Sequence, residues 1–159
     1  MKVAIRAHVA LTIVASISLA SCYAHYSWLT VDAGDPRSSS VFVEGEKRAA
    51  ISAAASVAEK LGLRSSWMQG LAPSRATAGN PFQELALFQG SGRSSNLMLT
   101  VAVKDDGTVL RFWISDLDHS QPTELVSELV RALKEELQRT FPNRRITVGG
   151  GRKLRIYAG

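Results

Sequence analysis

The apolar positions of this chain change period several times, and each change marks an element. In NLMLTVAVKDDGTVLRFWIS, residues 96–115, they alternate, and Asp106-Gly107 in the middle is a favoured two-residue hairpin loop. That loop pairs Asp105 with Thr108, Val103 with Leu110, Val101 with Phe112 and Leu99 with Ile114. The three apolar pairs then share one face, by the period of two. The other face carries Thr100 opposite Trp113, Ala102 opposite Arg111 and Lys104 opposite Val109, so one face is core and the other mixed.

Two stretches follow a helical period instead. In SQPTELVSELVRALKEELQRTF, Leu125, Val126, Leu129, Val130, Leu133 and Leu137 form a broad stripe. Ser120 is the expected cap, Pro122 suits the first turn, and Pro142-Asn143 ends the element. Glu135 and Arg139 are spaced for a favourable i,i+4 pair. In GEKRAAISAAASVAEKLGL the stripe is narrow: Ile51, Ala54, Val57, Ala58 and Leu61, with Gly62 as the stop. Its alanines suit close packing onto a sheet.

Shorter signals complete the pattern. VFV at 41–43 and ELALF at 84–88 predict strands, and ITV and LRIYA predict strands around Gly149-Gly150-Gly151, as a terminal hairpin or one bulged strand. Residues 64–80, with Gly70, Pro73 and Gly79, have no period and read as a long loop. The order is strand, helix, three strands, helix, then one or two strands. That predicts an α+β two-layer sandwich, with a largely antiparallel sheet of four to five strands and both helices on one face. The layout is similar to that of the lipopolysaccharide-assembly lipoproteins and of the helix-grip domains of outer-membrane assembly lipoproteins, a likeness of architecture that no motif carries.

The first 40 residues stand apart. Lys2 and Arg6 precede AHVALTIVASISLA, and no further charge appears until Asp32, the pattern of a secretory signal rather than of a spanning helix. The stretch ends in Leu19-Ala20-Ser21-Cys22, which holds the chain's only cysteine. This resembles the bacterial lipobox, read by lipoprotein signal peptidase. The resemblance covers residues 1–22 and implies cleavage before Cys22, lipid on its sulfur and attachment to a membrane of the cell envelope. Tyr23, rather than Asp, follows the cysteine, which by the family's sorting rule in enteric bacteria points to the outer membrane, facing the periplasm. A lone cysteine also leaves no internal disulfide. The expected organisation is therefore a signal peptide over 1–21, a lipidated N-terminus and tether over 22–40, which could equally contain a short strand at Trp28–Val31, and one domain over 41–159. Tyr23, Tyr26 and Trp28 would suit a headgroup layer.

Without Lys2 and Arg6 the formal charge falls from +5 to +3, and the excess is uneven. No acid follows Glu136, whereas Arg144, Arg145, Arg152, Lys153 and Arg155 do. These five form a candidate patch for anionic lipid, lipopolysaccharide phosphates or an acidic envelope protein. Nucleic acid is not expected as a partner outside the cytoplasm.

Candidate chemistry is sparse. Asp116, Asp118 and His119 are the one cluster with catalytic or metal-ligating residue types, and they also suit the entry to a helix. Glycines 149–151 followed by Arg152 and Lys153 lack the Ser or Thr of a phosphate loop, so a tight turn or bulge is expected there, and no cofactor is implied. The readings are, in order, a noncatalytic lipoprotein that binds through the mixed face around Trp113 and Arg111, a small hydrolase or metal-dependent enzyme, and an immunity or inhibitor protein.

Overall fold

In a computed structural model that describes residues 23–34, 40–68 and 80–154, the chain runs β1 (Tyr23–Asp32), α1 (Glu44–Lys60), β2 (Arg64–Met68), β3 (Phe82–Gln89), β4 (Leu97–Lys104), β5 (Val109–Asp116), α2 (Glu124–Thr140) and β6 (Ile146–Leu154). The six strands form one antiparallel sheet in the order β2-β3-β4-β5-β1-β6, an α+β sandwich with one or two strands more than expected. The signal segment and Cys22 lie outside the described residues, as do 69–79 and Arg155.

The hairpin register is the expected one: Leu99 faces Ile114, Val101 faces Phe112 and Val103 faces Leu110, and all six are buried. The loop is wider than predicted, because the strands stop at Lys104 and Val109. Only Gly107 takes a positive φ (72°), whereas the two-residue type I′ turn needs one at both central positions. The Gly107 N–H bonds the Lys104 carbonyl, and Asp106 accepts from the Thr108 N–H and hydroxyl. Lengthening the loop by one residue at each end leaves the register unchanged.

Residues 23–32 are not a tether. They form a ten-residue strand in the sheet interior, between β5 and β6. Leu29 and Val31 point into the core, while Tyr26, Trp28 and Thr30 are only half-buried on the opposite face. The expected strand at 41–43 is also absent. Instead Phe42 is buried, edge-on to Phe141 with ring centroids 5.9 Å apart. The Val43 N–H then bonds the Glu46 carboxylate as α1 begins. The start of the long loop is strand β2, paired with β3.

Ala50, Ala53, Ala54, Val57 and Ala58 of α1 and Val126, Leu129, Leu133 and Leu137 of α2 are buried in one cluster with the inward residues of the sheet. The stripe of α1 is thus turned slightly from the expected one, leaving Ile51 and Leu61 only partly buried. Gly62 (φ 77°) ends α1 as expected. Thr123, not Ser120, caps α2: its hydroxyl accepts from the Val126 N–H at 3.2 Å. The pair expected between Glu135 and Arg139 is replaced by Arg131–Glu135 and Arg139–Glu136.

The glycine run makes neither turn nor bulge. Strand β6 passes straight through it, with Trp28 opposite Gly149, Ser27 opposite Gly150 and Tyr26 opposite Gly151. A Cβ on Gly149 would lie 2.5 Å from the Trp28 indole, so the absence of a side chain lets that ring lie across β6.

Candidate functional site

Both helices lie on one side of the sheet, and among the described residues no helix covers the other. The alternation that buries Leu29, Phe112 and Leu99 therefore aims their neighbours onto an uncovered face. Strand pairing arranges those neighbours in rows. One row runs Gly149, Trp28, Trp113, Thr100, Leu87, and the next runs Thr147, Thr30, Arg111, Ala102, Glu84. Trp113 is half-buried at the centre of the face. Trp28 stacks on it with centroids 5.6 Å and planes 10° apart, and Tyr26 leans against it at 5.3 Å.

Beside this aromatic group is a depression of about 360 Å³. Thr100 and Ala102 line its middle, with Trp113 on one side and Phe82, Arg111, Glu84 and Asn80 around the rest. Ala102 separates Arg111 from Glu84 in the register, and the two form no ion pair. The Arg111 guanidinium instead lies 3.7 Å from the centre of the Phe82 ring. Its Nε is buried without a hydrogen-bond partner among the described residues, and desolvation lowers the pKa of the guanidinium from its ordinary value. The group remains charged at any physiological pH.

Sequence pattern assigns Trp113 and Arg111 to this face but not Phe82 or Glu84, and it assigns Trp28 and Tyr26 to a headgroup layer instead. The latter two sit in the segment read as a tether. The alternation in Tyr26-Ser27-Trp28-Leu29-Thr30-Val31 was the signal that could have placed them.

The acidic cluster is assembled only in part, and on the helix side of the sheet. The His119 Nδ1–H donates to both oxygens of buried Asp116, at 3.0 and 2.9 Å, and the Asp118 N–H bonds the same carboxylate. The Asp118 side chain turns away to accept from Asn96. His25, which had been assigned to the tether, joins the cluster: it lies opposite Asp116 in the register, and its N–H bonds the His119 carbonyl. Its Nε2 shares a 2.8 Å hydrogen bond with Ser27. Burial lowers the His25 pKa from 6.5, against a smaller upward pull from Asp116. These bonds fasten the loop before α2 onto β1. Among the described residues no three His, Cys, Asp or Glu side chains are grouped to hold a metal ion.

Of the basic residues, Arg144 and Arg145 lie apart from Arg152 in the described structure. Arg144 bonds Glu46 at 2.7 Å and lies over Phe42, so it is part of the packing between α1 and the end of α2. Arg145 is exposed before β6 begins, and Arg152 is exposed near its far end, opposite His25. At about 3.3 Å per strand residue the two are roughly 20 Å apart. Lys153 pairs with Ala24, beside Arg152.

No protein-family model, curated protein or solved structure matches this chain.

Proposed function

We propose that this is a bacterial envelope lipoprotein, anchored through Cys22 to the outer membrane and facing the periplasm, that binds a partner or ligand on its uncovered sheet face and performs no catalysis. The observation that carries the binding reading is the face itself. Three half-buried aromatic side chains, a half-buried arginine and a depression lie together where no helix of the described residues covers them, and a concave site of aromatic and convergent polar groups is the ordinary form of a ligand site. The anchor reading rests on Leu19-Ala20-Ser21-Cys22 at the end of the apolar run. Several acyl chains, at about 0.8 kcal/mol per buried methylene, hold a protein durably on a bilayer.

Strand β1 starts at Tyr23, so a lipid on Cys22 would leave no spacer between membrane and sheet. The same end of the sheet carries Arg152 and Lys153, opposite His25 and Ala24, and cations placed there would favour an anionic headgroup layer. The enzyme reading gains His25 but meets a carboxylate already engaged by His119 and the Asp118 N–H, which favours binding over catalysis.

The test is made in cells. Cys22→Ala abolishes incorporation of labelled palmitate and releases the protein from the membrane fraction. Arg111→Gln with Trp113→Ala leaves the anchor intact but removes what wild type captures from detergent-solubilised envelopes. Unchanged labelling of the first variant contradicts the anchor, and unchanged capture by the second contradicts the face.

A further inference from the structure

We infer that the depression beside Trp113 is a subsite for a carboxylate-bearing sugar, the acid held by Arg111 and the ring laid against the aromatic group. The inference rests on the sheet-face reading above and gives it a ligand class.

The charge comes first. Arg111 is fixed on the face of Phe82 at 3.7 Å, and among the described residues it has neither a carboxylate nor a carbonyl partner. With Nε buried, the stacked guanidinium has its Nη1–Nη2 edge left for a planar two-oxygen anion, and a carboxylate fits that edge bidentately. On the helix side of the sheet Arg131 is paired with Glu135 and Arg144 with Glu46, whereas Arg111 forms no ion pair among the described residues. Glu84, the nearest acid on the rim, stands across Ala102 and is not bonded to Arg111.

Shape and polarity select the rest of the ligand. About 360 Å³ is at the small end of ligand sites and suits one or two sugar rings. An acyl chain would leave Thr100, Glu84, Asn80 and Arg111 without partners, a cost that grows as water is excluded. A sugar engages them: its hydroxyls donate to Glu84 and exchange hydrogen bonds with Thr100 and Asn80. Its C–H faces meet Trp113, which Trp28 and Tyr26 hold in place from the other side of the row. A neutral sugar would meet every one of these groups except the guanidinium. The carboxylate is therefore the specificity element.

The full chain, in nanodiscs of zwitterionic phosphatidylcholine, is titrated with glucuronic acid and N-acetylmuramic acid and, separately, with glucose and N-acetylglucosamine. The Arg111 Nε–H and Trp113 indole N–H resonances are followed. Both shift saturably with an acidic sugar, which binds about tenfold or more tightly than its neutral counterpart, as a charge-assisted hydrogen bond predicts. Arg111→Lys keeps the charge and the aliphatic stem but loses the fork, so it removes that preference while neutral binding persists. The tighter of the two acids distinguishes a uronate polysaccharide from a cell-wall sugar. Equal binding of acidic and neutral sugars, an acid preference that survives Arg111→Lys, or no saturable shift at either resonance overturns the inference. Should Arg111→Lys perturb the fold, the wild-type comparison decides alone. If capture from envelopes persists while every sugar fails, the ligand class is wrong and the binding face stands.

Discussion

At the residue scale, single side chains on the two faces of the same strands have opposite duties. Phe112 is fully buried and opposite Val101, whereas Thr100 is half-buried on the uncovered face. Phe112→Ala is expected to cost about 3–5 kcal/mol and Thr100→Ala under about 1 kcal/mol, measured by equilibrium denaturation. The glycine run makes a sharper comparison. A methyl on Gly149 meets the Trp28 ring at 2.5 Å, while one on Gly151 meets nothing within 4 Å. Gly149→Ala should therefore displace Trp28 and destabilise by about 1–3 kcal/mol, with a change in the aromatic circular dichroism. Gly151→Ala should be neutral or slightly stabilising, because it removes only freedom of the unfolded chain. Both results can be read from one set of denaturation curves. A local rule predicts a break at three successive glycines, since glycine is depleted in strands. The reason it fails, a ring from a strand some 120 residues away in sequence, is not visible locally.

At the element scale, legibility followed how local each pairing is. The hairpin could be read with its register because four turn residues and a period of two suffice to specify it. Strand β1 could be read only as a short alternative at Trp28–Val31, since its partners β5 and β6 lie far along the chain and its inward positions begin with His25 and Ser27 rather than apolar residues. Strand β2, an edge strand of Arg, Ser and Trp, has no apolar alternation to find. Half of the candidate site was lost with β1, because Trp28 and Tyr26 went with it. The polar inward end of β1 has a consequence for pH. The folded state lowers the His25 pKa below 6.5, so the unfolded chain binds more protons just under that value. Stability should be constant above about pH 6.5 and decline as pH falls through the window beneath it. His25→Gln, followed by thermal denaturation from pH 7.5 to 5, should flatten that part of the profile. A different element-scale expectation concerns β6. Arg152→Gln with Lys153→Gln should weaken salt-sensitive association with anionic liposomes, since both sit at the end of the sheet where β1 begins, next to the proposed anchor. Arg144→Gln should instead lower stability modestly by breaking the pair with Glu46, and leave liposome binding unchanged.

At the scale of the whole molecule, two helices cover one side of a six-stranded sheet, and among the described residues the other side carries aromatic rings and an arginine without an acidic partner. A sheet of this kind needs only one buried face to be stable, so the second is free to be shaped by what it binds. No helix of the described residues is long and apolar enough to cross a membrane. The central claim is that the uncovered face is occupied in the envelope. The most direct measurement places a photo-crosslinking amino acid at Asn80, exposed on the rim of the depression, and in a second strain at Glu135, exposed on α2. Irradiation of intact cells should yield a discrete adduct from position 80 that disappears in the Trp113→Ala background, and none from position 135. Equal adducts from both positions, or an adduct at 80 that ignores the loss of Trp113, would contradict the account.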